Sequence, residues 1–382
     1  MEVWGKKKMK LLLINYEFPP LGGGAGNATK NIAQEMAKRG NNVVVLTTWF
    51  PGLPERELTD GYEIIRVLSM RSRLDRSNPM EMLDFVRLAR KEATRLAKEE
   101  SFNATVAFFA IPSGLIARYL KKKFGVPYIV SLRGGDVPGF LPSAFRFWHF
   151  VTMPFTKLIW KDASVIVANS EGLRELALHT ACPLGKNVFM ISNGVDTELF
   201  SPRPAPKVGP FTILFAGRLV EQKGVTHLLK SCAKLKEEGK TFILNIAGDG
   251  PLRGKLESET KALGLSSQAH FLGWVSRDKL PELYREANLF ALPSFDEGMP
   301  NVILEAMSSG LPIVATDIKG NNELVKNEVN GFLYKRQEEL TPILKKCIEN
   351  KGALIDMGPE SRKISLDYSW RKVAESYEKL LS

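Results

Sequence analysis

The sequence predicts an α/β protein of two doubly wound parallel sheets, and three observations carry that expectation. Short apolar runs of strand length alternate with amphipathic helical patterns along most of the 382 residues. Ser201-Pro-Arg-Pro-Ala-Pro-Lys-Val-Gly-Pro210 then breaks the alternation, because four prolines in ten residues neither continue a helix nor fit a central strand. After it the same strand–helix theme restarts.

In order, residues 9–15 form a buried-strand run that leads into a glycine-rich turn. The helical pattern that follows places Ile32, Ala33, Met36 and Ala37 on one face and ends at Gly40. Residues 43–47 are the next strand, and 79–99 a long amphipathic helix with Leu83, Val86, Ala93 and Leu96 at helical spacing. Strands are expected at 104–109, 127–132, 164–168 and 188–191. Beyond the prolines come a strand at 211–216, a helix at 222–237 and a strand at 242–247. Helix and strand then alternate through Phe271, 289–292, 313–315 and Phe332. Residues 369–381 close the chain as a helix with Trp370, Val373, Tyr377 and Leu380 on one side, expected to pack back on the first domain. The division is therefore 1–203, 204–365 and a C-terminal helix over 366–382. Two such domains facing a central cleft would hold a ligand at the carboxyl ends of their strands.

Composition narrows the class. The chain is 44% apolar and 25% charged, ordinary for a soluble globular protein. The apolar runs are too short for a membrane span, and after Lys6, Lys7, Lys8 and Lys10 the run 11–14 is too short for a signal peptide. Cys182, Cys232 and Cys347 are far apart, which argues against a disulfide framework or a zinc site. These features point to a cytoplasmic protein. Charge is uneven: residues 1–203 hold 28 Lys and Arg against 19 Asp and Glu, the remainder 25 against 23. A basic first half suits an anionic partner such as a phosphate or a lipid headgroup; solvated helix faces are the plainer reading of any one cluster. Lys121, Lys122 and Lys123, for example, end a helical pattern where they complement its dipole.

Several phosphate binders are excluded. The dinucleotide fingerprint fails after both first strands, since Gly22 and Gly24 are followed by Asn27, and Gly248 and Gly250 by Arg253, where a third glycine is needed. A P-loop fails because Lys234 stands where the first glycine belongs before Gly239-Lys240-Thr241. No Asp-x-Asp offers a metal–diphosphate clamp, and the four histidines are scattered.

Three clusters remain at strand-to-helix junctions. Phe215-Ala-Gly-Arg-Leu-Val-Glu-Gln-Lys-Gly224 sets Arg218 and Lys223 on either side of a tight turn, and two cations there suit a diphosphate; either alone is an ordinary surface charge. Leu292-Pro-Ser-Phe-Asp-Glu-Gly-Met-Pro-Asn-Val-Ile-Leu-Glu-Ala306 starts a helix near Pro300, whose amide end is an anion site. Glu297 precedes that helix and suits sugar hydroxyls, or else caps it. Glu305 lies within it, between Leu304 and Ala306, able to accept from both ribose hydroxyls. The third cluster is Gly22, Gly23 and Gly24 at the head of the first helix, where the backbone is able to approach a ligand closely.

Together these residues resemble family-4 retaining glycosyltransferases, also called glycosyltransferase group 1, which have the GT-B fold. The resemblance rests on Ala-Gly-Arg218 with Lys223-Gly and on Ser294-Phe-Asp-Glu297-Gly with Glu305-Ala. It extends to Ser192-Asn193-Gly194-Val195-Asp196, Ala247-Gly248-Asp249-Gly250-Pro251 and Phe271-Leu-Gly273-Trp-Val275. It implies a nucleotide-diphosphate sugar donor, a UDP- or GDP-sugar, bound by the C-terminal domain with no cofactor and no metal. By that resemblance Arg218 and Lys223 hold the leaving diphosphate, Glu297 orients the donor sugar and Glu305 holds the ribose. Gly217 and Gly248 line the donor site, the backbone around Gly273 reads the base, and Met299, Pro300, Asn301 and Val302 cap a phosphate. The leaving diphosphate would accept the acceptor's proton, and stabilising its charge would be the largest protein contribution.

One departure stands out. Many members carry His-Gly-x-Asp at the end of an N-domain strand, where this chain has Arg133-Gly134-Gly135-Asp136. Arg133 is no base near neutral pH, but it suits neutralising a phosphate or orienting the sugar, so Arg133 and Asp136 stay among the catalytic candidates. The resemblance also assigns the acceptor, a glycan or lipid-linked molecule of cell-surface polysaccharide or glycolipid synthesis, to the basic N-terminal domain, with Gly22, Gly23, Gly24 and Arg133 against it.

The stretch 140–155, with Phe145, Phe147, Trp148, Phe150 and Phe155 broken by Arg146 and His149, suggests peripheral contact with an anionic membrane, or a helix packed into the core. The competing readings are another GT-B activity such as a nucleotide-sugar epimerase, and a non-catalytic nucleotide-sugar-binding module. Nucleic acid is not expected, because the positive charge is diffuse and no reading module is present.

Overall fold

The computed structural model describes residues 8–74, 77–140, 146–203, 209–350 and 352–381. Half of the proline-rich stretch (204–208), Lys6, Lys7 and Phe145 lie outside the described residues, as do the side chains of residues 146–149. The chain divides into two compact units, one reaching Asn193 and taking in Trp370 onward, the other Gly194–Ser369.

The first unit holds β1 (Lys10–Ile14), β2 (Asn42–Thr48), β3 (Arg56–Thr59), β4 (Tyr62–Val67), β5 (Ala104–Phe108), β6 (Tyr128–Ser131), β7 (Val165–Ala168) and β8 (Val188–Met190). Their order in the sheet is β3-β4-β2-β1-β5-β6-β7-β8, parallel throughout except for β3 against β4. Helices α1 (Gly24–Lys38), α2 (Pro79–Glu99), α3 (Gly114–Phe124), α4 (Arg146–Asp162) and α5 (Glu171–Ala181) connect the strands. Leu11, Leu13, Val43 and Val45 feed one core layer, and Leu12, Ile14, Val44 and Leu46 the other, as expected of strands buried on both faces. α2 starts where its sequence directs: Asn78 accepts from the Glu81 N–H, and the Glu81 carboxylate returns to the Asn78 N–H, a capping box followed by Pro79.

The β3–β4 hairpin was absent from the sequence expectation. Its signal was Asp60-Gly61, both at positive φ (46° and 81°), the Asp-Gly pair that a two-residue hairpin turn favours.

The second unit holds β9 (Phe211–Ala216), β10 (Phe242–Ala247), β11 (Ala269–Gly273), β12 (Leu289–Leu292), β13 (Ile313–Thr316) and β14 (Gly331–Tyr334). All pair in parallel, in the order β11-β10-β9-β12-β13-β14. Counted within the unit this is 3-2-1-4-5-6, the Rossmann order. Its helices are α6 (Val225–Glu237), α7 (Arg253–Ala262), α8 (Leu280–Glu286), α9 (Asn301–Ser308), α10 (Asn321–Leu324), α11 (Leu340–Glu349), α12 (Gly352–Ile355) and α13 (Met357–Ser365).

The last helix, α14 (Trp370–Leu381), belongs to the first unit, as the sequence suggested. Its buried Trp370, Val373, Ala374 and Tyr377 join the layer of Ile32 and Met36. Beside α1, Arg39 bridges Glu375 (2.7 Å) and Glu378 (3.0 Å), and Asn41 donates to Glu378 (2.7 Å).

Candidate functional site

In the 3-2-1-4-5-6 order, β9 and β12 are neighbours whose chains leave in opposite directions, which makes their carboxyl ends the switch point where doubly wound sheets bind ligands. The loop after β9 carries Gly217, Arg218 and Lys223; the loop after β12 carries Glu297. Gly224 permits their close approach. It sits at φ 64°, and a Cβ there would lie 2.1 Å from the Pro293 carbonyl oxygen. Two hydrogen bonds tie the loops: the Phe295 N–H donates to Gln222 O (2.8 Å), and Gln222 Nε2 donates to Asp296 O (2.7 Å). The seam ends in an ion pair, Lys223 Nζ to Glu297 Oε1 at 2.5 Å, with Glu297 only 8% exposed. Arg218 is exposed on the same loop. Burial, with Glu297 beside it, raises the carboxyl of Asp296.

Glu297 does not cap the following helix. Pro300 precedes the first helical residue of α9 rather than occupying its first turn, and the cap position makes no side-chain bond. No acidic residue stands in that turn, so its amide end stays electropositive. Met299 is buried, and Asn301 and Val302 are half-buried beside it. Inside α9, half-buried Glu305 accepts from the hydroxyl of Tyr284 on α8 at 2.9 Å. Burial pushes the Glu305 carboxyl up to about 7, against the opposing pull of Arg277 and Tyr284.

Three glycines lie side by side at the ends of β9, β10 and β11. Gly217 N–H donates to Ala247 O (2.9 Å), and Gly248 N–H donates to Gly273 O (2.7 Å). A Cβ on Gly248 would lie 1.9 Å from the Gly217 carbonyl oxygen, so the strand ends close ranks only without a side chain there.

In the first unit, Gly22, Gly23 and Gly24 follow β1. The space a side chain would take at Gly22 is filled by Glu17, whereas Gly23 faces open space. Gly24 is the first residue of α1. Arg133 and Asp136 follow β6 in the same unit. The Asp136 carboxylate is spent on backbone: Oδ1 accepts from the N–H groups of Arg133 (3.0 Å) and Gly134 (3.2 Å), and Oδ2 from Ala110 (2.9 Å). Burial raises its pKa against those donors. Arg133 donates to Asn193 Oδ1 (2.7 Å) and to the Tyr377 hydroxyl (3.3 Å).

Sequence reasoning missed Gln222, Tyr284, Asn193 and Tyr377. Tyr377 had a signal, since it falls on the apolar stripe of the last helix, but nothing in that stripe distinguished a hydroxyl with polar partners from plain core.

On α4, Ile159 and Trp160 are buried, while Phe150 is 80% exposed and Val151, Phe155 and Leu158 are also exposed. Among the described residues no helix is long and apolar enough to cross a membrane.

Comparison with known proteins covers nearly the whole chain. Residues 22–199 match the family described as Glycosyltransferase Family 4, and 196–364 the family described as Glycosyl transferases group 1. An uncharacterized glycosyltransferase of Methanocaldococcus jannaschii is 27% identical over 345 residues, 85% of this chain and 84% of the relative. An Escherichia coli UDP-Gal:alpha-D-GlcNAc-diphosphoundecaprenol alpha-1,3-galactosyltransferase is 30% identical over 265 residues, 63% of this chain and 64% of that one. Among solved structures, sucrose-phosphate synthase of Thermosynechococcus elongatus superposes with a TM-score of 0.83 at 19% identity, covering 98% of both chains. The HepE protein of Anabaena, in complex with UDP-glucose, gives a TM-score of 0.73 at 20% identity, over 98% of this chain and 99% of its own.

Proposed function

The chain belongs to the family-4, group 1 glycosyltransferases, and from that premise we propose that it moves a sugar from a UDP- or GDP-sugar with retention of configuration. The proposed acceptor is a glycan or lipid-linked molecule of cell-surface polysaccharide or glycolipid synthesis. The observation that carries the donor assignment is the Lys223–Glu297 pair, clamped by Gly224 at the switch point of a 3-2-1-4-5-6 sheet.

In this reading Lys223 and Arg218 take the diphosphate as its charge grows, acting where a metal ion acts in other transferases, so no divalent cation is needed. Glu297 holds Lys223 in place and accepts from the donor sugar's hydroxyls. The electropositive end of α9 caps a phosphate, and Glu305 accepts from the ribose. The acceptor attacks from the face the diphosphate leaves, and a diphosphate oxygen takes its proton. A diphosphoundecaprenol acceptor in one relative's name, and UDP-glucose in one neighbour's structure, support this choice of substrate classes. The exposed apolar face of α4 supports a peripheral membrane position at the cytoplasmic side.

The test is a thermal-shift and turnover screen against UDP, GDP, ADP and their sugars, with and without chelator, on wild type and Glu305→Ala. A stabilising shift with one nucleotide class, indifferent to chelator and lost in Glu305→Ala, is expected. At a hundredfold excess over Kd the stabilisation is about 2.7 kcal/mol. Binding without turnover would instead indicate a silent nucleotide-sugar module.

A further inference from the structure

Arg133 is a cation whose side-chain hydrogen bonds go to neutral groups, with the Asp136 carboxylate near enough to favour its charge but not bonded to the guanidinium. Nη1 meets Asn193 Oδ1 at 2.7 Å, Nη2 meets the Tyr377 hydroxyl at 3.3 Å, and the guanidinium carbon lies 4.9 Å from the centre of the Phe108 ring. Tyr377 is itself anchored, its hydroxyl 2.6 Å from Ser131 Oγ. Nε is buried and has no hydrogen-bond partner. No carboxylate among the described residues forms an ion pair with this guanidinium. Asp136, three residues on, has both oxygens turned to backbone N–H groups instead.

A guanidinium taken out of water without a carboxylate is destabilising, and a buried donor left unmade adds to the cost. Asn193, Tyr377 and Phe108 fix the direction of the fork without cancelling its charge, which a carboxylate would do. The residue as a whole is half-buried rather than sealed inside the unit. Planar N–H donors of this kind match a carboxylate or phosphate bidentately.

We infer that Arg133 is an oxyanion subsite of the first unit, completed by a carboxylate or phosphate group of the substrate, and that Tyr377 is its positioning residue. The last thirteen residues therefore contribute to the site through one hydroxyl, supplied by α14 across 244 positions of sequence. The inference rests on the transferase reading only for the source of the group, a phosphate or a carboxylate of the acceptor.

The experiment uses the full chain as wild type, Arg133→Met and Tyr377→Phe, each also in an Arg218→Ala/Lys223→Ala background so that anions bound in the second unit do not count. Melting is followed with inorganic phosphate, D-glucuronate and, as the neutral probe, D-glucose. Phosphate or glucuronate should raise the melting temperature of wild type and leave that of Arg133→Met unmoved. In plain buffer Arg133→Met should melt close to wild type, because the desolvated guanidinium that is lost has no bonded carboxylate to leave behind. Tyr377→Phe should keep its fold and lose severalfold in anion affinity, at a neutral-probe response equal to wild type. Paired ligands then identify the group, N-acetylglucosamine 1-phosphate against N-acetylglucosamine for a phosphate and D-glucuronate against D-glucose for a carboxylate. Equal anion responses in wild type and Arg133→Met, or none in either, overturn the inference. Failure of every nucleotide to bind wild type overturns the transferase reading instead, because the simple anions report on Arg133 without it.

Discussion

Lys223 and Glu297 lie 74 residues apart in sequence and 2.5 Å apart in space, each in the loop that follows one of two neighbouring strands. Both are largely withdrawn from water, at 18% and 8% exposure, so the pair is screened much less than a surface ion pair. Removing one partner leaves the other charge buried alone. Lys223→Met and Glu297→Gln should each lower stability by about 3 kcal/mol, and the double variant by clearly less than the sum. Turnover separates the roles: Lys223→Met should lower kcat by about 10²- to 10³-fold, the usual loss for a donor aimed at developing negative charge. A double-mutant cycle on urea midpoints and kcat checks both, and strict additivity would contradict the coupling.

Glu305 gives the chain a pH dependence whose sign follows from the direction of its shift. Its carboxyl titrates near 7 in the folded protein and near 4.5 in the unfolded chain. Between those values the folded state holds a proton that the unfolded state has released. The stabilisation is complete below about 4.5 and is lost as pH rises through about 7, with a ceiling of about 3 kcal/mol. Glu305→Gln should flatten this part of the stability profile. Tyr284→Phe removes the hydroxyl that favours the charged carboxylate, so it should cost about 1 kcal/mol and move the midpoint upward. Nucleotide affinity should rise as pH passes about 7 in wild type, as the carboxylate forms. Urea melts and nucleotide titrations between pH 5 and 8 read both effects.

Gly224 tests whether the two loops need their close approach. Gly224→Ala combines a left-handed φ of 64° with a Cβ 2.1 Å from a backbone oxygen, so the loops must separate. The expected loss is about 2 to 4 kcal/mol of stability, with kcat falling further than Lys223 exposure alone explains, because a shift near 1 Å misplaces the cation. Gly239→Ala is the control. It shares a positive φ of 74° but has open space around it, so it should lose about 1 kcal/mol and keep kcat.

How much of this the sequence disclosed depends on the range of the interaction. The strand–helix alternation is a local pattern that marks doubly wound parallel sheets, but it does not choose the 3-2-1-4-5-6 order among those that right-handed βαβ connections allow. Lys223 and Glu297 were visible as residues, because turn chemistry around Gly224 and Pro300 marks the loops. Their ion pair was not, since it depends on loop approach, and no spacing encodes that. The same holds for Tyr284 under Glu305 and Tyr377 under Arg133, where each tyrosine looks like core until its hydroxyl finds a partner from a distant element. The Asp60-Gly61 hairpin is a different kind of miss. Its signal is local, but the flanking strands are short and β3 is polar, so no apolar alternation marks them.

The outer face of α4 carries the last prediction. Phe150, Val151, Phe155 and Leu158 recur at helical spacing and are exposed, with Lys157 and Lys161 beside them. An exposed apolar stripe flanked by cations suits the interface of an anionic membrane better than water. Burying two phenylalanines in the acyl boundary is worth about 3 kcal/mol, and each nearby lysine about 1 kcal/mol. Phe150→Glu with Phe155→Glu should therefore lower the vesicle partition coefficient by more than about a hundredfold. Their exposure means that the fold should melt within about a degree of wild type. Lys157→Ala with Lys161→Ala should weaken binding to anionic vesicles, leave binding to neutral ones unchanged, and reduce the salt sensitivity. Co-sedimentation with vesicles of 30% phosphatidylglycerol and of pure phosphatidylcholine, at low and high salt, separates the two contributions. Full retention of wild type in the supernatant at low salt would remove the membrane from the account and leave the acceptor to be sought among soluble glycans.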